Sequence, residues 1–564
     1  VNANDTTVQN VSWLAMVIIL LAQVQMGFNV NALVISMGAI VDDLDTAATT
    51  VGTALVVYSL AVAGCVMLGA KIGGMIGARL AFQIGVATHG ASMLWMALSP
   101  NAATMILAQA VAGVAAALAV PALVVLIAAN YSGKQQEQSL GLLAAAVPAS
   151  GVMAFLIVGV LTELISWRWI FAALAVVSIF VLILSVRLTP LERQSGVRID
   201  WIGALLAATA ITLISLGFNS VNAWGLLVAG DAAPFEVLGL SPVPIFIFVG
   251  IVLIQGFFAW MRRQRAQRKP QLFELEVLDS REEVNASISL LLIGALAAGV
   301  NFLIPLYVQI VQGRSTLQTA VAIVPYALAV LISAILVVRL YDRFPPRQIG
   351  RVAFVAVSAG LLLLAYAIQN DWGTPLVVLS LIAIGLGEGS LLTLLFNVLV
   401  SASPKHLAGH VGALRGTINN LATGLGTAIA SVLAVASLGL LLAISFAESP
   451  TIPDEIADYI ELDDVDFVSN DELEDALEDT TLTPEVADEV VRLNSEARLT
   501  ALKISFQVLA GLALIGIIPA GRLPAYVPGE VPARQNPTPK TLVLRRRARQ
   551  IGRITRTKRK ATVR

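Results

Sequence analysis

A single cysteine, Cys65, lies within an apolar run, which excludes an intrachain disulfide and leaves no cysteine metal site. The three histidines, His89, His406 and His410, form no HExxH pattern, and Asp464-Val-Asp466-Phe-Val lacks the third ligand and the glycine of an EF-hand. No resident metal is expected. There is no Walker A loop, which excludes direct ATP use by this chain, and no G-x-S-x-G elbow. The reading is therefore not an enzyme, with no cofactor. Charge is scarce as well: 13% of the 564 residues are Asp, Glu, Lys or Arg and 57% are apolar, against roughly 25% charged in an average soluble protein. That leaves too little polar surface to coat the soluble domains such a length would otherwise allow.

What is present is a series of long apolar runs. A helix needs about 20 apolar residues to cross ~30 Å of hydrocarbon. Runs of this kind fall at 12–38, 50–69, 80–98, 103–128, 139–163, 168–187, 201–219, 243–261, 284–308, 318–338, 349–368, 375–400, 414–446 and 502–520. The fifth is interrupted by Pro148 and the thirteenth is overlong. The start of the chain shows no basic region or cleavage-like site, so the first run reads as an uncleaved insertion signal.

Fourteen spans put both termini on one side, and charge checks the count. Of the 36 Lys and Arg, 31 fall on that side when loops are assigned alternately, and five on the other. The positive-inside rule makes the rich side cytoplasmic, which predicts a multi-pass plasma (inner) membrane protein with both termini inside. Residues 447–501 form an outward loop with eighteen acids and two arginines, including helix-like stretches at Ser469–Asp479 and Pro484–Ala497. The tail from Arg522 to Arg564 holds thirteen bases and one acid, Glu530. No aromatics interleave those bases, so no nucleic-acid partner is expected. A solvated cap and contact with anionic lipid heads are the readings for loop and tail.

Three segments resemble the major facilitator superfamily, specifically its fourteen-span drug:proton antiporter branch. Leu161-Thr-Glu-Leu-Ile-Ser-Trp-Arg-Trp-Ile-Phe171 is similar to that branch where its fifth span ends and its sixth opens. Asp200-Trp-Ile-Gly-Ala-Leu-Leu206 resembles the start of its seventh span, and Arg339-Leu-Tyr-Asp342-Arg343-Phe-Pro-Pro-Arg347 the second copy of the superfamily's loop motif. The resemblance implies an all-α polytopic membrane protein of the major facilitator fold, two six-helix bundles plus two linker helices. The N-terminal bundle would occupy 1–190, the linker pair with its basic loop 191–283, the C-terminal bundle 284–520, and the basic tail 521–564. Substrate would bind between rocking bundles, and Asp342, Arg343 and Arg347 would lock a cytoplasmic gate.

The chain also departs from the family. The first loop motif, Gly69-Ala-Lys71-Ile-Gly73-Gly74-Met75-Ile-Gly77-Ala-Arg79, has glycine where the acid belongs. Span 1 reads Asn29-Val-Asn31, without the usual aspartate, and the usual arginine of span 4 aligns with Gln109. The Gly-Pro pair of span 5 aligns with Ala154-Phe155. Amides hydrogen-bond but carry no proton in and out, so the N-terminal half offers none of the usual coupling groups.

An ionised side chain at mid-membrane costs roughly 2.5–3.5 kcal/mol. Two titratable residues sit mid-span: Glu388, within Gly385-Leu-Gly387-Glu388-Gly389 of span 12, and His89 of span 3. Glu388 is the candidate proton carrier, because the family layout turns span 12 toward the substrate path; the glycines beside it would serve either close approach or a bend. His89 reads as a packing hydrogen-bond partner. Gln25, Asn29, Gln109, Asn301 and Asn397 are the candidate cavity-lining residues. An apolar path dotted with amides suits a small hydrophobic or amphiphilic substrate. The expectation is a monomeric efflux permease for such compounds (drugs or lipids), with protons as candidate coupling ion and the bilayer as its surroundings. The alternatives are a proton-independent facilitator or lipid flippase of the same fold, and a membrane scaffold or sensor using the acidic loop.

Overall fold

The computed structural model describes residues 12–525, apart from 47, 190–197, 231–232, 315, 371–374, 404–406 and most of 450–482. Most of the acidic loop and almost all of the basic tail lie outside the described residues, as does His406. Each predicted run corresponds to one long helix: α1 (Leu14–Ile35), α2 (Ala48–Ile76), α3 (Ala78–Ala97), α4 (Ala102–Asn130), α5 (Gly133–Leu164), α6 (Trp167–Ser185) and α7 (Trp201–Asn219). The series continues with α8 (Pro242–Ala266), α9 (Arg281–Leu306), α10 (Thr316–Leu336), α11 (Pro346–Ala367), α12 (Pro375–Ala402), α13 (Ala408–Glu448) and α14 (Pro484–Ala520).

Twelve of these are long and apolar enough to cross a membrane, and thirteen if α5, bent by 43° at Pro148, is one span. The remaining helix, α3, has 20 residues; Arg79, Gln83 and His89 dilute its apolar character. The bend in α5 falls at its proline, which has no amide proton to give to the preceding turn. At 41 residues α13 is about 60 Å long, twice the hydrocarbon thickness, so much of it extends beyond the bilayer. Helix α14 likewise starts at Pro484, inside the acidic loop, well before the apolar run at 502–520.

Helix starts follow local chemistry. Asn101, Ser166, Asp200 and Ser241 cap α4, α6, α7 and α8 by accepting backbone N–H bonds. Ser280 and Glu283 form a reciprocal capping box on α9. Large apolar side chains stay exposed along α6 (Val176, Ile179, Phe180, Ile183) and α8 (Phe248, Ile251, Val252), as lipid-facing surfaces require.

Packing shows the internal repeat. In the first half α2 packs on α4, α3 on α4 and α6, and α1 on α5 and α6. Adding eight to each number gives the second half: α10 on α12, α11 on α12 and α14, and α9 on α13 and α14. Helices α7 and α8 pair with each other, and α7 touches α2 and α13. The halves meet where α5 packs on α10 and α12, and where α13 packs on α2 and α4. These are the two-fold-related contacts expected of two similar bundles.

Candidate functional site

Three glycines set the position of Glu388. A Cβ on Gly385 would lie 2.4 Å from the Tyr326 carbonyl oxygen, and one on Gly389 2.2 Å from that of Val330, both on α10. A Cβ on Gly387 would lie 2.6 Å from the Ala353 oxygen of α11. The segment therefore serves close approach, on two sides at once, and Glu388 becomes buried between the helices. The Tyr326 hydroxyl donates to Glu388 Oε2. Phenol and carboxyl thus form one buried polar pair between α10 and α12. Asn301 of α9 donates to the Ala297 carbonyl of its own helix at 2.8 Å and is itself exposed. Sequence reading picked out Asn301 and Glu388 and passed over Tyr326; its one signal was a phenol in hydrocarbon, which needs a partner.

The N-terminal amides are used differently. Asn29 Nδ2 donates to Gln109 Oε1 at 3.0 Å and Gln109 Nε2 donates to Asn29 Oδ1 at 3.1 Å. Both are buried, and the pair closes α1 on α4 with no charge on either side. Gln25 accepts from Ser178 of α6 at 3.1 Å. Instead of lining an open cavity, as expected, these three amides join helices within one bundle, because an unpaired amide in hydrocarbon costs more than the contact constrains. His89 is fully buried, and among the described residues neither ring nitrogen has a partner; the packing bond expected of it is not formed. Asn29→Ala is expected to lower stability by about 1–3 kcal/mol by leaving the Gln109 amide buried and unbonded. The apolar double change Asn29→Leu with Gln109→Leu should recover most of it. Thermal unfolding in detergent checks this, and an unshifted single variant would remove the pair.

The seam between the halves lies at the end carrying the basic loops. Lys134 Nζ, at the start of α5, sits 2.6 Å from Asp342 Oδ2. One turn further, Asn397 Nδ2 donates to the Glu137 carbonyl at 3.3 Å. Two corrections follow. Asp342 pairs across the halves with Lys134, whereas Arg343 and Arg347 are exposed and, among the described residues, make no ion pair. Asn397 belongs to this seam and not to an open path. With its side chains 69% and 54% exposed, the Lys134–Asp342 pair is screened by water and correspondingly weak. The same end also restores the missing acid of the first loop motif: Lys71 Nζ lies 3.8 Å from Glu274 Oε1, supplied by the segment joining α8 to α9. The neighbouring Phe273 is buried edge-on against His410 of α13, so this short segment touches both halves.

The two remaining motifs are structural. Arg168 Nη1 donates to the carbonyls of Ala97 and Ser99 at 3.1 and 2.7 Å, closing the end of α3, and Nη2 meets Asp43 at 2.7 Å. Asp200 caps α7 and accepts from Trp260 Nε1 at 2.9 Å, tying α7 to α8.

Several known proteins are similar to this chain. Puromycin resistance protein pur8 of Streptomyces alboniger is 26% identical over 442 residues, covering 76% of this chain and 83% of its own length. The cephamycin export protein CmcT of Amycolatopsis lactamdurans is 28% identical over 336 residues, 59% of this chain and 66% of that one. The tetracenomycin C resistance and export protein of Streptomyces glaucescens is 24% identical over 394 residues, 70% of each. Among solved structures, the human organic anion transporter MFSD10 superposes with a TM-score of 0.56 at 12% identity, over 90% of this chain and 99% of that one. The proton:xylose symporter XylE superposes with a TM-score of 0.54 at 12% identity, over 92% and 98%. These two establish the fold alone. The family model of the Major Facilitator Superfamily matches residues 18–427, a stretch that runs from α1 into α13 and includes the seam between the halves. With its repeated bundles, linker pair and loop motifs, the chain is a membrane transporter belonging to the major facilitator superfamily.

Proposed function

We propose that this transporter exports hydrophobic or amphiphilic compounds by alternating access, driven by protons that load and leave Glu388. The buried carboxyl held by Tyr326 between α10 and α12 carries the reading. It is an acid placed between helices of the moving half, in hydrocarbon, where charge is costly enough for protonation to select a conformation. The names of three relatives, concerned with resistance to puromycin and export of cephamycin and tetracenomycin C, support outward transport of such compounds. In the charge arrangement, 31 of 36 bases on one side support an inner membrane location with both termini cytoplasmic. On that orientation the Lys134–Asp342 seam closes the cytoplasmic end. A monomer with two bundles suffices for the path.

A proton-independent facilitator or lipid flippase is the second reading, favoured by the Asn29–Gln109 pair, which leaves the N-terminal bundle without charge at those positions. Inverted vesicles with an acidic lumen separate the two. Uptake of a lipophilic cationic dye should stop when a proton–potassium exchanger collapses the pH gradient. Uptake that persists unchanged would replace the proton-driven reading by the facilitator.

A further inference from the structure

The segment between α7 and α8, at the end of the helices opposite the basic loops, carries a feature that transport does not explain. Residues 227–229 and 239–241 pair as a small hairpin: Ala229 N–H donates to the Gly239 carbonyl at 3.1 Å and Ser241 N–H to that of Leu227 at 2.8 Å. Its tip is a two-residue turn closed by Val237 and Leu240, which exchange both backbone bonds at 3.1 and 3.0 Å. Leu238 and Gly239 occupy the central positions at φ 55° and 76°. Turns with positive φ at both central residues favour Asn-Gly or Asp-Gly, because a bulky side chain is strained there. Here the strained position holds leucine, and that leucine is 99% exposed.

Its surroundings share this character. Leu226, Leu227, Val228, Phe235, Val237 and Leu240 are also exposed, so large apolar side chains cover most of the hairpin. Contiguous exposed apolar surface of this kind marks an interaction site. The patch runs on into the lipid-facing surface of α8, where Phe248 is 67% exposed and Ile251 and Val252 are open one turn further. Phe235 and Trp224 both pack edge-on against Phe246 of α8, which holds the hairpin against the head of that helix. From Ser220 to Ser241 the sequence has no Lys or Arg, so attraction to anionic head groups is not what would bring it to a membrane.

We infer that the hairpin pairing 227–229 with 239–241 is a membrane-docking flap: it lies in the head-group and acyl boundary of the leaflet opposite the basic loops, with Leu238 as its inserted tip. The occupant of its apolar face is lipid, continuous with the lipid that covers α8. Ordered hydrogen bonds make the hairpin stiff, and the insertion of apolar area offsets the strain at Leu238. Held in this way, the linker pair keeps its depth while the bundles move.

Spin labelling tests this on the full chain in vesicles of phosphatidylethanolamine and phosphatidylglycerol, after Cys65→Ala removes the native thiol. Labels are placed by Leu238→Cys, with Phe248→Cys as the lipid reference and Glu485→Cys, exposed on α14, as the water reference. At 238 the label should collide more with oxygen than with a water-soluble nickel chelate, as at 248, and oppositely to 485. A label at 238 that follows 485 would overturn the flap. Dipolar broadening between labels at low protein density would overturn it too, by showing a second copy on this face. Leu227→Cys provides an independent reading, which should match 248, if the tip variant does not fold.

Discussion

Replacing Glu388 by glutamine is expected to abolish pH-driven accumulation while leaving substrate binding and folding intact. Glutamine keeps the size of the side chain and an oxygen that accepts from the Tyr326 hydroxyl, so the bond between α10 and α12 survives. What it removes is the proton that the site can take up and release. Coupling free energies between sites are typically about 1–3 kcal/mol, or about 5–150-fold, so the accumulation ratio under an imposed pH gradient should fall by on the order of tenfold or more. Downhill exchange of the same dye should continue, because the rocking of the bundles does not require this proton to leave. Measuring accumulation and exchange on one preparation checks both halves of the expectation. Wild-type accumulation in the variant would remove Glu388 from the coupling mechanism, and loss of exchange as well would assign it a structural role.

Gly389→Ala should be among the most damaging single changes in the C-terminal bundle. The added methyl would lie 2.2 Å from the Val330 carbonyl oxygen and 2.3 Å from Ser333 Oγ. The serine can rotate, but the backbone carbonyl cannot, so α12 must move away from α10. Overpacking of this kind typically costs about 1–3 kcal/mol, occasionally more. The cost is compounded because the same contact presents Glu388 to Tyr326. The expected result is a clearly lowered unfolding temperature in detergent, together with lost transport. Gly511→Ala is the control: it sits inside α14, and a Cβ there meets nothing within 4 Å. Its effect should be neutral or stabilising by up to about 1 kcal/mol, since alanine is the better helix former. Equal unfolding temperatures for the Gly389 variant and the wild type would contradict the close approach.

The amides show how far a local reading reaches. In sequence, Asn29, Gln109 and Asn397 are equivalent: polar residues in apolar runs, each able to line a path. In the structure they have three different neighbours. Asn29 and Gln109, 80 positions apart, bond to each other, whereas Asn397 bonds to a carbonyl 260 positions away across the seam. No periodicity within a single helix distinguishes these cases, because the partner belongs to another helix. The loop motifs are similar. The second copy has its acid, Asp342, but meets the base of the other half at Lys134, 208 positions distant. The first lacks its acid and receives one from Glu274.

Hydropathy, which is a property of consecutive residues, determined by itself that the chain threads a bilayer as long helices and where those helices lie. It suffices because hydrocarbon forces each segment to satisfy its own backbone hydrogen bonds, so a span is decided residue by residue. Tertiary structure alone decided the uses of the polar groups: that the glycines around Glu388 bring backbones together instead of bending them, that Tyr326 holds the carboxyl, and that the amides are spent on packing or on the seam. The reason is the same solvent. In a medium without water, each buried polar group must find its partner in whichever helix stands beside it, and only the assembled bundle specifies that neighbour.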